Sequence, residues 1–185
     1  AAIGMALNGL RPVVEIQFAD FVFGSMDQIV NEAARYYYRS NGEWPVPLVI
    51  RAPYGGPVRG GLYHSQCVEA FFSHVPGLKI VIPSSPYDAK GLLKAAIRDN
   101  NPVMFFEHKL SYRSINGEVP QEDYIIPIGT AEIVREGRDL SLFTYGMTVH
   151  HSLEAANEAA KEGIQVEIVD LRSLAPLDRK AILGS

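Results

Sequence analysis

The sequence predicts an α/β protein, with helices covering a mostly parallel sheet in three layers. Three observations carry that reading. Short β-rich runs alternate along the chain with longer helical patterns, as in βαβ units. One of those runs, Val46 to Arg51, is apolar enough to be buried on both faces, the usual condition of a parallel strand. The composition, 47% apolar, 21% charged and 10% aromatic over 185 residues, suits a packed chain large enough to bury a core.

Taken in order, Ala1 to Leu10 reads as the middle of a helix that Gly9 closes, so the chain is expected to begin inside a domain. Pro12 to Gln17 reads as a strand. Ser25 is placed to cap a helix running to about Arg39, with Ile29, Ala33, Tyr36 and Tyr37 sharing one face. The strand Val46 to Arg51 delivers the chain into a glycine-rich loop, Tyr54 to His64. A helix from Gln66 to about Ser73 and a strand from Lys79 to Ile82 follow. The clearest start signal is Ser85 as cap, Pro86 in the first helical position and Asp88 facing back, ahead of a helix to Arg98. Pro102 to Glu107 completes this block as a strand. Lys109 to about Pro127 holds Asn116-Gly117, Pro120 and scattered acids without a sustained period, and reads as a connector. Beyond it, Ala131 to Glu136, Asp139 to Tyr145 and Gln165 to Asp170 read as strands. Met147 to Glu162 reads as an amphipathic helix stopped at Gly163, and Asp178 to Leu183 opens another helix.

Seventeen basic residues stand against 21 acidic ones, a formal charge of -4, with no long block of either sign, which argues against a nucleic-acid partner. No stretch approaches the ~18 consecutive apolar residues of a bilayer span. Cys67, the single cysteine, has no internal disulfide partner, which fits a reducing compartment.

His64 leads the candidate residues, because it ends a glycine-rich loop just after a buried strand, where open α/β sheets place their ligand crevices. Its plain alternative is a capping or packing role beside Tyr63. The run Glu15 to Phe21 also ends a strand, and a stacked Phe21 with an amide from Gln17 would suit a flat, nitrogen-rich ring. Core packing by Phe18 and Phe21, with Asp20 capping a turn, is the competing reading and the favourite on the residues alone. Gly55, Gly56, Gly60 and Gly61 match neither dinucleotide nor P-loop spacing. Cys67 reads as a small buried hydrophobe rather than a nucleophile. His150 and His151 point about 100 degrees apart on a helix and read as surface residues. Tyr36, Tyr37 and Tyr38 cover most of a helix's circumference, which hints at a subunit contact.

Several longer motifs point further. Glu15-Ile16-Gln17-Phe18-Ala19-Asp20-Phe21, Gln28 to Ala34, Leu62-Tyr63-His64-Ser65-Gln66, Asp88 to Lys94, Asn101 to Glu107 and Val169-Asp170-Leu171-Arg172 closely resemble the beta subunits of thiamine-diphosphate-dependent 2-oxoacid dehydrogenases. Gln17 to Asp20 and Gly61 to Gln66 look most like the branched-chain, 2-oxoisovalerate, members, with the pyruvate and acetoin enzymes close behind. The resemblance implies a transketolase-like fold, with a pyrimidine-binding domain over residues 1–125 and the opening of a transketolase C-terminal domain over 126–185. It implies a cofactor held between subunits. The alpha subunit would bind the diphosphate and its magnesium through a Gly-Asp-Gly…Asn motif absent here, and this chain would supply only the aminopyrimidine half. Gln17 and Phe21 would line that half, with Phe21 where many members carry tyrosine. His64 would be the active-site histidine.

The same resemblance implies oxidative decarboxylation of a 2-oxoacid, acyl transfer to lipoamide, and an alpha2-beta2 assembly docked on a lipoyl acyltransferase core. It places the enzyme in the bacterial cytoplasm, or in the mitochondrial matrix of a eukaryote. The family's glutamate that promotes the imino tautomer lies just upstream of the segment matching Ala1 to Ala6. The 185-residue chain is therefore expected to be an incomplete, inactive portion of a catalytic subunit that retains the cofactor poorly, and an inert interaction fragment is the alternative from another class. A potassium ion on backbone oxygens near Leu48, Asp99 and Asn101 is a further expectation by analogy.

Overall fold

The computed structural model describes residues 1–56 and 59–185; Pro57 and Val58, inside the expected glycine-rich loop, lie outside the described residues. Helix α1 (Ala2–Leu7) leads into strand β1 (Val13–Glu15). A 3-10 turn (Ala19–Ser25), a π turn (Gln28–Ala33) and α2 (Tyr36–Arg39) precede β2 (Val49–Tyr54). A 3-10 turn at Gly61–Tyr63 is followed by α3 (Glu69–Ser73), β3 (Lys79–Val81), α4 (Pro86–Arg98), β4 (Val103–His108) and α5 (Ser111–Ser114). After an irregular connector come β5 (Glu132–Arg135), β6 (Leu140–Thr144), α6 (Met147–Lys161), β7 (Val166–Asp170), β8 (Ser173–Ala175) and α7 (Arg179–Gly184).

The strands form two sheets, one in the order β1-β2-β4-β3-β8 and one in the order β5-β7-β6. Strands β1 to β4 all run parallel, as do β6 and β7, whereas β8 and β5 are antiparallel edges. The predicted layers follow from strand alternation. Ile50, Ala52, Met104 and Phe106 face Val22, Ile29, Ala33 and Phe72 on one side, while Val49, Val103 and Phe105 face Leu92 and Ala96 of α4 on the other. Each large side chain buried here contributes about 1.5–3 kcal/mol.

Local signals explain where elements start. Ser85 Oγ accepts the Asp88 N–H at 3.1 Å and donates to its carboxylate at 2.6 Å, with Pro86 opening α4 as expected. Asp178 likewise caps α7, accepting from the Ala181 N–H at 3.0 Å. Ser25, in contrast, caps nothing among the described residues: it ends the 3-10 turn, and the single helix expected from Ser25 to about Arg39 is divided into the π turn and α2. The Ala34 N–H reaches back to the Ile29 oxygen at 3.0 Å, a widened turn that puts both Ala33 and Ala34 into the core. The strand expected from Val46 begins at Val49 because Pro47 has no N–H and the Leu48 N–H turns back to Val46 at 2.8 Å.

Strand β8 was not expected from the sequence. It crosses to the first sheet, where the Ile82 N–H donates to the Arg172 oxygen at 2.8 Å. A buried polar cluster lies beneath this crossing. Ser84 Oγ donates to Asp170, and the Arg172 guanidinium pairs with Asp88 at 2.6 Å and with Glu132. His150, expected on the surface, is half-buried there with Nε2 at 2.8 Å from the Ser84 oxygen. His151 is exposed as expected.

Candidate active site

Strands β1, β2 and β4 are neighbours and parallel, so their carboxyl ends open along one edge of the sheet, where α/β folds bind ligands. Strand β1 delivers Gln17, Phe18, Asp20 and Phe21; β2 delivers the loop that returns at His64; β4 delivers His108 and Lys109. The His64 ring stands edge-to-face on Phe18 with centroids 4.5 Å apart and on Phe21 at 5.6 Å, and the two phenyl rings meet at 5.8 Å. Phe21 is 45% exposed, so one apolar face remains available. Gln17 is exposed, and its amide makes no side-chain hydrogen bond among the described residues. His64 Nδ1 lies 2.9 Å from the Gly60 oxygen. A carbonyl only accepts, so Nδ1 carries the proton of that bond and Nε2 is left for a ligand.

The main chain around His64 is held from two sides. Asp20 Oδ1 accepts the Ser65 and Gln66 N–H groups, both at 3.2 Å. Lys109 donates its ammonium to the His64 oxygen and lies 4.9 Å over the Phe18 ring. Burial pushes the Lys109 ammonium below its ordinary value, with Asp20 and then Cys67 opposing the shift. The loop closes where the Gly55 N–H donates to the Gln66 oxygen at 3.0 Å. Gly55 is obligatory there: its φ is +83°, and a Cβ would stand 2.3 Å from His108 Nε2.

The structure thus brings Gln17, Phe21 and His64 to one edge. It corrects the surroundings of His64, which ends a 3-10 turn, while the next helix starts only at Glu69 rather than Gln66. Cys67, expected to be buried, is exposed. Its thiol is pushed up by desolvation and then by Glu69, which disfavours a nucleophilic thiolate. Tyr36 packs against the core, whereas Tyr38 is 89% exposed.

Leu48, Asp99 and Asn101 precede β2 and β4, at the opposite, amino end of the sheet. The Leu48 oxygen accepts the Val103 N–H at 2.8 Å, and the Asp99 oxygen accepts the Arg11 guanidinium at 2.8 Å. Backbone oxygens are the donors a hard cation takes, and at this turn the Arg11 guanidinium already holds the Asp99 and Ile97 oxygens.

Sequence reasoning passed over Lys109 and assigned Phe18 and Asp20 to packing and a local turn. The usable signal for Lys109 was a cation three residues after the buried run Val103 to Phe106, at the ligand-binding end of its strand.

Parallel strands presenting an amide, aromatic faces and an imidazole at one edge define a ligand-crevice protein of the open α/β class. Residues 1–114 match the family described as transketolase, pyrimidine binding domain, and residues 129–185 match transketolase, C-terminal domain. The chain belongs to the transketolase pyrimidine-binding family. It is 59% identical over 181 residues to the 2-oxoisovalerate dehydrogenase subunit beta of Bacillus subtilis, covering 98% of this chain and 55% of that protein. It is 53% identical over 184 residues to the pyruvate dehydrogenase E1 component subunit beta of the same organism, covering 100% and 57%. It is 54% identical over 185 residues to the acetoin:2,6-dichlorophenolindophenol oxidoreductase subunit beta of Cupriavidus necator, covering 100% and 54%. The chain spans about half the length of these relatives. Among solved structures, a split gene transketolase, inactive beta4 tetramer, superposes with a TM-score of 0.81 at 26% identity, covering 100% of this chain and 56% of that one.

Proposed function

We propose that the chain is the cofactor-facing part of the beta subunit of a 2-oxoacid dehydrogenase that decarboxylates a branched-chain 2-oxoacid and passes the acyl group to lipoamide. The observation that carries this reading is the corner formed by Phe18, Phe21 and His64 beside Gln17. The half-exposed Phe21 face and the Gln17 amide, without a side-chain hydrogen bond among the described residues, fit a flat, nitrogen-rich ring such as the aminopyrimidine of thiamine diphosphate. That cofactor, when bound, supplies the stabilisation of a carbanion. Gln17 and Phe21 orient its pyrimidine end, and His64 presents Nε2 to the substrate carboxylate or to the acyl acceptor. An alpha subunit supplies the grip on diphosphate and magnesium, in an alpha2-beta2 assembly that docks on a lipoyl acyltransferase core.

This division of labour suits a unit of residues 1–125 followed by a second unit from 126, and it suits a bacterial cytoplasm or a mitochondrial matrix. Potassium at Leu48, Asp99 and Asn101 belongs to the same reading. Its test is a higher melting temperature of the assembled protein in potassium chloride than in sodium chloride.

Reconstitution tests the whole. A full-length beta subunit mixed with its alpha partner should reduce a dye in the presence of 2-oxoisovalerate faster than with pyruvate or acetoin. His64→Ala should sharply lower turnover while the assembly persists. Normal turnover in that variant would remove the assignment of His64, and a preference for pyruvate or acetoin would move the substrate to one of those relatives' compounds.

A further inference from the structure

We infer that Asp20 and Lys109 are the positioning residues of this site, a clamp that grips the His64-Ser65-Gln66 main chain and so fixes the imidazole on Phe18. The geometry is complementary to the peptide dipoles. A carboxylate accepts two successive N–H groups, those of Ser65 and Gln66, while an ammonium donates to the His64 oxygen. The two clamp residues come from the ends of different strands, 45 residues before Ser65 and 45 after His64 in the chain. The loop is therefore pinned to β1 and β4 as well as to itself, where Gly55 meets Gln66 and His64 meets Gly60. Both side chains are buried, at 7% and 8% exposure. Burial makes the clamp strict, since a hydrogen bond lost there leaves a charge that water reaches only in part. Neither residue touches the free Nε2 of His64. Their effect on chemistry runs through the placement of that ring, and a displacement of about 1 Å at a reacting group costs roughly a hundredfold in rate.

Two readouts test this on the full-length subunit assembled with its partner. The first is amide hydrogen exchange. Lys109→Met and Asp20→Ala should each speed exchange at Ser65 and Gln66 by about tenfold or more, while Lys109→Arg and Asp20→Asn, which keep a donor and an acceptor, should fall between those variants and the parent. Unchanged exchange at Ser65 and Gln66, or a rise spread over the whole chain that Lys109→Arg does not reverse, overturns the clamp.

The second readout rests on the proposed dehydrogenase reading. Lys109→Met should lower kcat roughly ten- to a hundredfold, with KM little changed, and the Lys109→Met, His64→Ala double variant should be no slower than His64→Ala alone. Additive losses would mean that Lys109 acts on something other than His64, and the clamp would be rejected. A His64→Ala enzyme of normal turnover would remove the assignment of His64 instead, absence of 2-oxoacid turnover in the parent would sink the functional reading, and in either case the exchange result would still decide the clamp.

Discussion

The imidazole of His64 stands perpendicular to the ring of Phe18 with centroids 4.5 Å apart, and the ammonium of Lys109 sits 4.9 Å over that same phenyl ring. Phe18 is thus a platform shared by the candidate catalytic group and by the cation that holds its main chain. Phe18→Leu keeps most of the apolar volume while removing both ring contacts. It should cost about 1–3 kcal/mol in urea unfolding and should lower dye-reduction turnover by more than that stability loss explains. A variant of parental turnover would show that the platform has no part in the chemistry.

Phe21 offers a different test, because its role is to face a ligand rather than to hold the protein together. It is 45% exposed, so its removal leaves little of the core unfilled. In the assembled enzyme Phe21→Ala should weaken thiamine diphosphate roughly two- to tenfold, the worth of one aromatic contact, with an unchanged melting temperature for the subunit without cofactor. Calorimetric titration measures the first and thermal unfolding the second. Equal affinity in the two proteins would take Phe21 out of the pocket.

What could be read in the sequence depended on how far apart the interacting residues lie. Ser85, Pro86 and Asp88 announce α4 because a cap is built from residues three apart. The alternation of Val49 to Ala52 and Val103 to Phe106 announces two buried faces because each strand carries its own pattern. Strand β8 could not be read that way. Ser173–Ala175 is only three residues long, and it exists because β3, some ninety residues earlier, offers it an edge. Asp20 shows the same limit. Read locally, it caps the next turn, but its carboxylate in fact caps Ser65 and Gln66. Gln17, Phe21 and His64 were singled out by their places beside expected strands and given roles by resemblance; their meeting at one edge follows from parallel neighbours whose order the sequence does not state.

Backbone contacts permit a sharper prediction about stability. Gly77 has φ +98°, and a Cβ on it would lie 2.0 Å from the Ala34 oxygen, the carbonyl at the end of the π turn. Backbone cannot swing away as a side chain can, so Gly77→Ala adds a steric clash to the cost of a left-handed alanine, together about 3 kcal/mol or more. Gly9, with φ +89° and open space around it, isolates the conformational cost. Gly9→Ala should therefore cost only about 1 kcal/mol. Urea midpoints of the two variants measure the difference, and equal losses would contradict the close approach at Ala34.

The polar cluster beneath the β7–β8 crossing predicts a pH dependence whose sign is fixed. Asp170 is fully buried, and desolvation pushes its carboxyl up from 3.8 to about 6; the Ser84 hydroxyl and the Arg172 N–H oppose the shift, Asp88 adds to it, and the Arg172 guanidinium opposes it again. A folded-state value above the unfolded one means that folding favours the protonated form. The associated stability is complete below pH 3.8 and is lost as pH rises through about 6. A shift of this size corresponds to about 3 kcal/mol in all, of which roughly 1.4 kcal/mol disappears between pH 5 and pH 7.5. Asp170→Asn keeps an acceptor for the Arg172 N–H and no longer titrates. Urea unfolding at the two pH values should show the parent losing about 1.4 kcal/mol more than the variant over that interval. Arg172, Glu132, Asp88 and His150 face the same cluster and remain in both proteins, so the difference between them isolates Asp170. The same loss in parent and variant would mean that Arg172 dominates the carboxyl and holds it ionised throughout the interval.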